Sequence, residues 1–353
     1  MVKDINPGTA GSYPQQLAAV NGILYFSAYD PTNGQELWKS DGTEAGTVMV
    51  KDIIPGTAGS NPRQLAAVNG ILYFSATNGS NGYELWKSDG TASGTIMVKD
   101  IIPGTAGSNP RQLAAVNGIL YFSATNGSNG YELWKSDGPA SGTLMVKDIF
   151  PGPADSNPYY LTNVNGTLFF TATDSTNGAD LWKSDGTEAG TVLVKDMVPG
   201  TAGSYPYYLT NLNGTLFFRG DDGTTGYELW KSDGTASGTV LVKDINPGTG
   251  YSSPNGITSF NGKIFFMAND GSGDGDQVWT SDGTALGTNR ISSAYTTTGG
   301  LRTHDWEEPF KPVNGKLYID LVDTTTWYRE LWTTDGTITG THSVKTSTCW
   351  SFI

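Results

Sequence analysis

The sequence predicts an all-β fold, a seven-bladed β-propeller of four-stranded antiparallel blades, and three observations carry that expectation. Seven tryptophans, Trp38, Trp86, Trp134, Trp182, Trp230, Trp279 and Trp332, recur in one local context at spacings of 48, 48, 48, 48, 49 and 53 residues. Each repeat divides into four short runs rich in β-branched and aromatic residues, bounded by turn signals. No run sustains a helical period. A four-stranded unit of about 40–50 residues, repeated four to eight times, is the signature of a propeller, because a lone sheet of that size cannot bury both faces. An open β-solenoid is the rival, but its coils are usually shorter and lack tight Asn-Gly hairpins. The expectation is a single domain over 1–353, with blades at about 15–53, 63–101, 111–149, 159–197, 207–245, 255–293 and 310–346.

The second repeat shows why each element forms. "RQLAAV" is a short first strand, closed by Asn69-Gly70, a dipeptide that tolerates positive φ at both positions of a two-residue turn. "ILYFSAT" follows as a second strand, and the polar loop "NGSNG" leads into "YELWKSD", the third. The turn "GTASG" then opens on "TIMVKDI", the fourth strand. The longer link "PGTAGSNP" reaches the next unit. Residues 50–97 and 98–145 differ at two positions only, Thr91/Pro139 and Ile96/Leu144, so neighbouring blades have nearly the same surface. At the amino terminus, Val2–Ile5 matches a fourth strand, while Thr341–Thr346 supplies the seventh blade with its own. The first piece therefore either adds to the last blade or is left over from a preceding repeat.

Composition narrows the function. A net charge of −13 with only 21 Lys and Arg and no basic stripe disfavours nucleic acid and anionic membranes. No apolar run reaches the roughly 20 residues of a spanning helix, so no membrane insertion is expected. The single Cys349 excludes internal disulfides and thiol metal clusters. No GxSxG, HExxH or phosphate-binding loop is present.

The string "ELWKSDGT" closely resembles the repeat of the ELWxxDGT family of secreted or surface-associated bacterial proteins. It is matched at Glu36–Thr43, Glu84–Thr91, Asp180–Thr187, Glu228–Thr235 and Glu330–Thr337, with departures at Pro139 and at Gln277-Val278. The resemblance implies a repeat architecture and an extracellular or bacterial cell-surface setting; it brings no activity to individual residues.

Read physically, the motif is scaffold. Its Trp fills the gap between blades, and Ser-Asp-Gly-Thr builds a turn similar to the Asp-box of other propellers. The Lys-Asp pairs closing each fourth strand read as charges that blunt an exposed edge. Binding is expected on the loops that vary, those joining the second to the third strand and those linking blades. Tyr83, Tyr131 and Tyr227 stand at the first; Arg63, Arg111, Tyr159 and Tyr207 at the second. The seventh repeat breaks the pattern with His304, Asp305, Trp306, Glu307, Glu308, Trp327 and Tyr328, which read as a pocket or as a plug. Asp270, Asp274 and Asp276, in a Gly-rich loop, are oxygen donors suited to calcium.

The functional expectation is a non-catalytic, lectin-like module whose partner is carbohydrate or a surface glycan. The alternative is a structural or protein-interaction module bound to another surface protein. A carbohydrate-active enzyme is a third reading, which would draw on His304, Asp305, Glu307 and Glu308.

Overall fold

The computed structural model describes residues 1–292, 301–303, 309–323 and 329–344. The chain is an all-β, seven-bladed β-propeller. The first blade comprises β1 (Gln15–Val20), β2 (Ile23–Asp30), β3 (Gly34–Ser40) and β4 (Val48–Lys51). The second has β5 (Arg63–Val68), β6 (Ile71–Ala76), β7 (Glu84–Ser88) and β8 (Ile96–Lys99); the third β9 (Arg111–Val116), β10 (Ile119–Ala124), β11 (Glu132–Ser136) and β12 (Leu144–Lys147). The fourth runs through β13 (Tyr159–Val164), β14 (Thr167–Asp174), β15 (Gly178–Ser184) and β16 (Val192–Lys195). The fifth has β17 (Tyr207–Leu212), β18 (Thr215–Gly220), β19 (Glu228–Ser232) and β20 (Val240–Lys243). The sixth has β21 (Asn255–Phe260), β22 (Lys263–Ala268), β23 (Gln277–Ser281) and β24 (Asn289–Arg290). The seventh holds β25 (Leu301–Thr303), β26 (Phe310–Val313), β27 (Lys316–Asp323), β28 (Arg329–Thr334) and β29 (His342–Ser343).

The first six sheets are four-stranded and ordered as the chain runs. The seventh differs from expectation in having five strands, since β25 and β26 both pair with β27. The longer link before this blade supplies the extra strand. By their contacts the residues group into two compact units. One comprises 1–168, 172–174 and 184–191; the other 169–171, 175–183 and 192 onward.

Local chemistry explains the strands and turns. Asn69 and Gly70 both take positive φ, 50° and 78°, as a primed hairpin turn requires. In the next hairpin β6 and β7 pair Phe74 with Trp86, whose rings stack at 6.5 Å. Trp86 packs with Tyr25, Leu37 and Val50 of the preceding blade as well as with Leu72 and Phe74 of its own. Trp134 repeats that arrangement against Tyr73, Leu85 and Val98. The motif tryptophan is therefore the wedge between blades.

The turn residues are scaffold too. The Asp89 carboxylate accepts the Thr91 backbone N–H at 2.8 Å and its hydroxyl at 2.7 Å, which hold its pKa below the usual range. In the third blade Pro139 offers neither donor. A short 3-10 turn, Ala140–Gly142, replaces it, with Gly142 N–H donating to the Pro139 carbonyl at 3.1 Å.

Two charged positions do more than their sequence context suggests. The Glu84 carboxylate is fully buried and accepts the Ser108 hydroxyl at 2.5 Å, its N–H at 2.8 Å and the Ile101 N–H at 3.2 Å. It thus ties down the link to the next blade. The lysines that end the fourth strands were expected to guard a free edge. Instead Lys51, Lys99 and Lys147 each donate to a threonine carbonyl of the following blade, that of Thr95, Thr143 and Thr191, at 2.8–2.9 Å. Lys3 makes the same bond to Thr47 at 2.8 Å, and the seventh sheet keeps its own fourth strand in β29.

Candidate functional site

The candidate site grows from an irregularity at the start of the first strand. Asn61 and Gln64 both hold left-handed backbone, at φ 48° and 58°. The β5–β6 register slips between Arg63 and Ala66. Such a bulge re-aims a side chain, and non-glycine left-handed residues cost about 1–3 kcal/mol each unless the surroundings impose them. Here the surroundings do so: the Gln64 N–H donates to the Gln16 side-chain carbonyl at 2.7 Å and the Asn61 N–H to the Gln35 backbone carbonyl at 3.0 Å.

The result is a recess of about 260 Å³ lined by Gln15, Gln16, Ser27, Gln35, Asn61, Pro62, Arg63 and Tyr83. Arg63 and Tyr83, chosen separately from the sequence, meet in it. The guanidinium carbon lies 3.7 Å from the centre of the Tyr83 ring, and one guanidinium nitrogen donates to Asn109 Oδ1 at 3.2 Å. Stacking of a cation on an aromatic face is worth about 0.5–2 kcal/mol and fixes the group in place.

The next repeat carries the same pair with a further ring nearby. Arg111 stacks on Tyr131 at 3.6 Å, lies 5.7 Å from the Tyr159 ring and donates to Asn157 Oδ1 at 2.6 Å. At the positions held by Gln15 and Gln35 in the first blade, the second has Arg63 and Tyr83. The recess opens where those larger groups are missing.

Tyr207 and Tyr227 are brought together in the second unit by a residue that sequence reasoning missed. Arg219 lies 4.6 Å from the Tyr207 ring, 5.4 Å from that of Tyr208 and 5.1 Å from that of Tyr227. Burial pushes the Tyr227 hydroxyl pKa up, and Arg219 pulls it back. The signal was available: the equivalent position in the first three blades is Ser27, Ser75 and Ser123. Gln15, Gln16, Gln35 and Asn61 were also passed over, because no motif marks isolated amides whose neighbours come from other strands.

The calcium expectation finds no support among the described residues. The Arg290 guanidinium lies 2.9 Å from the Asp274 carboxylate and 3.6 Å from that of Asp270, supplying the positive charge a metal would bring. Asp276 has interactions of its own. Among the described residues no three His, Cys, Asp or Glu side chains converge on a metal position. His304, Asp305, Trp306, Glu307, Glu308, Trp327 and Tyr328 lie outside the described residues. No described helix is long and apolar enough to cross a membrane.

No protein-family model matches the chain, and no curated protein matches it. Solved structures do. A puromycin hydrolase aligns with TM-score 0.52 at 12% identity over 95% of this chain and 53% of that one. Oligopeptidase B from Trypanosoma brucei aligns with TM-score 0.53 at 9% identity over 95% and 48%. A prolyl endopeptidase aligns with TM-score 0.51 at 12% identity over 94% and 49%. The chain thus spans about half the length of these proteins. Such likeness is one of fold alone, and the proteins that share it here are a hydrolase, an oligopeptidase and an endopeptidase rather than lectins. This finding replaces the lectin-like reading together with its structural or protein-interaction alternative and the carbohydrate-active enzyme.

Proposed function

We propose that this propeller is the peptide-handling part of a peptidase-type protein, holding extended chain segments while hydrolysis proceeds on other residues. The observation that carries the reading is the amide-rich recess beside Arg63. Gln15, Gln16, Gln35 and Asn61 each combine a carbonyl acceptor with an NH₂ donor, the same pairing that a peptide bond presents. The shared fold with an oligopeptidase and a prolyl endopeptidase supports it, as does the half-length coverage, which leaves the rest of those proteins for other tasks. The resemblance of the repeat to the ELWxxDGT family supports a secreted or cell-surface setting.

The test is a fluorescence-anisotropy titration of the chain against a diverse set of labelled, unstructured decapeptides. Saturable binding that unlabelled peptide displaces, and that a Gln35→Ala, Asn61→Ala double variant weakens, is the expected result. If every peptide in the set stays unbound, the reading fails.

A further inference from the structure

Resting on that peptide reading, we infer that the recess is a subsite for a peptide carboxylate, with Arg63 as its anion-binding group. Arg63 is anchored without being neutralised. Its guanidinium is fixed by the Tyr83 ring and by the neutral Asn109 side chain. Among the described residues, the ion pairs belong to Arg290 and Arg329. In a chain with 34 acidic and 21 basic residues, an arginine that forms no ion pair among the described residues retains its charge for a ligand. A guanidinium fork matches a carboxylate through two parallel N–H bonds.

The lining completes the match. Gln35 Nε2 is committed to Ser27 Oγ at 2.8 Å, which leaves its carbonyl oxygen as an acceptor. Asn61 Nδ2 donates to the Gly59 carbonyl at 2.8 Å, leaving its Oδ1 likewise. The Gln16 carbonyl accepts the Gln64 N–H, so its Nε2 remains a donor. Arg63 and Gln16 thus supply donors for a carboxylate, and Gln35 and Asn61 supply acceptors for a nearby peptide N–H. A third feature is the departure from the repeat. The Arg111 guanidinium lies 3.6 Å from the Tyr131 ring and 5.7 Å from that of Tyr159. The first repeat has Gln15 and Gln35 where the second has Arg63 and Tyr83, and this leaves the space beside Arg63 open.

The carboxylate has two sources, a free carboxy terminus or an acidic side chain, and the experiment separates them. Three probes are titrated calorimetrically into the full chain: N-acetyl-trialanine as free acid, the same peptide as its amide, and the amide with a central glutamate. At least tenfold tighter binding of the free acid, or of the glutamate peptide, over the neutral amide is expected, and the tighter of the two names the source. Arg63→Gln should remove that tenfold preference, and Arg63→Lys should restore part of it. Tyr83→Phe keeps the ring face and should leave it intact. Should Arg63→Gln melt early, the salt dependence of wild-type binding carries the test, since an ion pair weakens as salt is raised. Equal binding of all three probes, or a preference insensitive to Arg63 and to salt, overturns the carboxylate subsite while the peptide reading stands. Absence of binding by any probe overturns both.

Discussion

At Gly90 the backbone holds φ +90°, and an added Cβ would lie 2.3 Å from the Tyr25 hydroxyl oxygen of the preceding blade. Two costs are therefore superposed in Gly90→Ala, one conformational and one steric. The first is about 1 kcal/mol. The second adds about 1–3 kcal/mol, as overpacking in a well-filled interface does. The repeat itself suggests how to separate them. Gly234, Gly283 and Gly336 face Phe169, Phe217 and Phe265, which lack the hydroxyl. Urea denaturation of Gly90→Ala should show a loss of about 2–4 kcal/mol. The Tyr25→Phe background should return most of the steric part. A loss unchanged by Tyr25→Phe would mean that the backbone alone demands glycine here.

At the scale of the element, the fourth strand tells most about how blades are joined. Lys99 Nζ donates to the Thr143 carbonyl at 2.8 Å, so Lys99→Met keeps the stem but orphans a partly buried acceptor. A hydrogen bond to a charged group is worth about 1.5–3 kcal/mol, and this one is only partly buried, so the variant should lose about 1.5–2 kcal/mol, the lower part of that range, while remaining monodisperse in light scattering. Aggregation at unchanged stability would instead restore the edge-guarding role read from the sequence. That contrast marks what the residues disclosed. Asn69-Gly70 and the Asp89–Thr91 turn were legible because their partners lie within a few residues. Trp86 was legible because a ring that recurs mid-strand has nowhere to go but between sheets. The tie from Glu84 to Ser108 spans 24 residues and the stitch from Lys99 to Thr143 spans 44, and no local pattern encodes either. The site was half legible for the same reason. Arg63 and Tyr83 stood out one by one, but their stacking depends on a bulge that only the folded strand reveals. Asp270 and Asp274 looked like metal ligands because Arg290, their partner, lies well beyond the loop, 16 residues after Asp274.

For the molecule as a whole, the buried carboxylates decide how stability responds to pH. Burial raises Glu36, Glu132 and Glu228 to about 7 and Asp180 to about 6, and it raises Glu84 as well; the serine and backbone donors oppose it. A neighbouring Asp52 adds to the rise at Glu36. Each of these groups binds a proton more tightly folded than unfolded. Their contribution is therefore fully present below the unfolded value and is lost as pH climbs through about 6–7. The turn aspartates act in the opposite sense. Threonine donors hold Asp41, Asp89, Asp185 and Asp233 below their ordinary value, so their contribution is present above it and fades as pH falls through the lowered one. They are exposed, and solvent screens them, so the buried set dominates. Thermal melts at constant ionic strength should rise from pH 8 to about pH 5 and turn down only in stronger acid. Glu132→Gln should flatten part of the upper slope, because an amide carries no charge to desolvate. Blade six already uses the amide at this position, where the Gln277 side-chain carbonyl accepts the Ser292 hydroxyl at 2.7 Å. Its Nε2 donates to the Asp274 carbonyl at 2.8 Å. An amide grafted into the third blade meets a different neighbour, the Ile149 N–H that now donates to Glu132 at 2.8 Å. The variant should thus melt lower than wild type in acid and approach it above pH 8. A melting temperature that is flat or falling from pH 8 to 5 would show that the hydrogen-bond donors outweigh burial, and that these glutamates are held as anions.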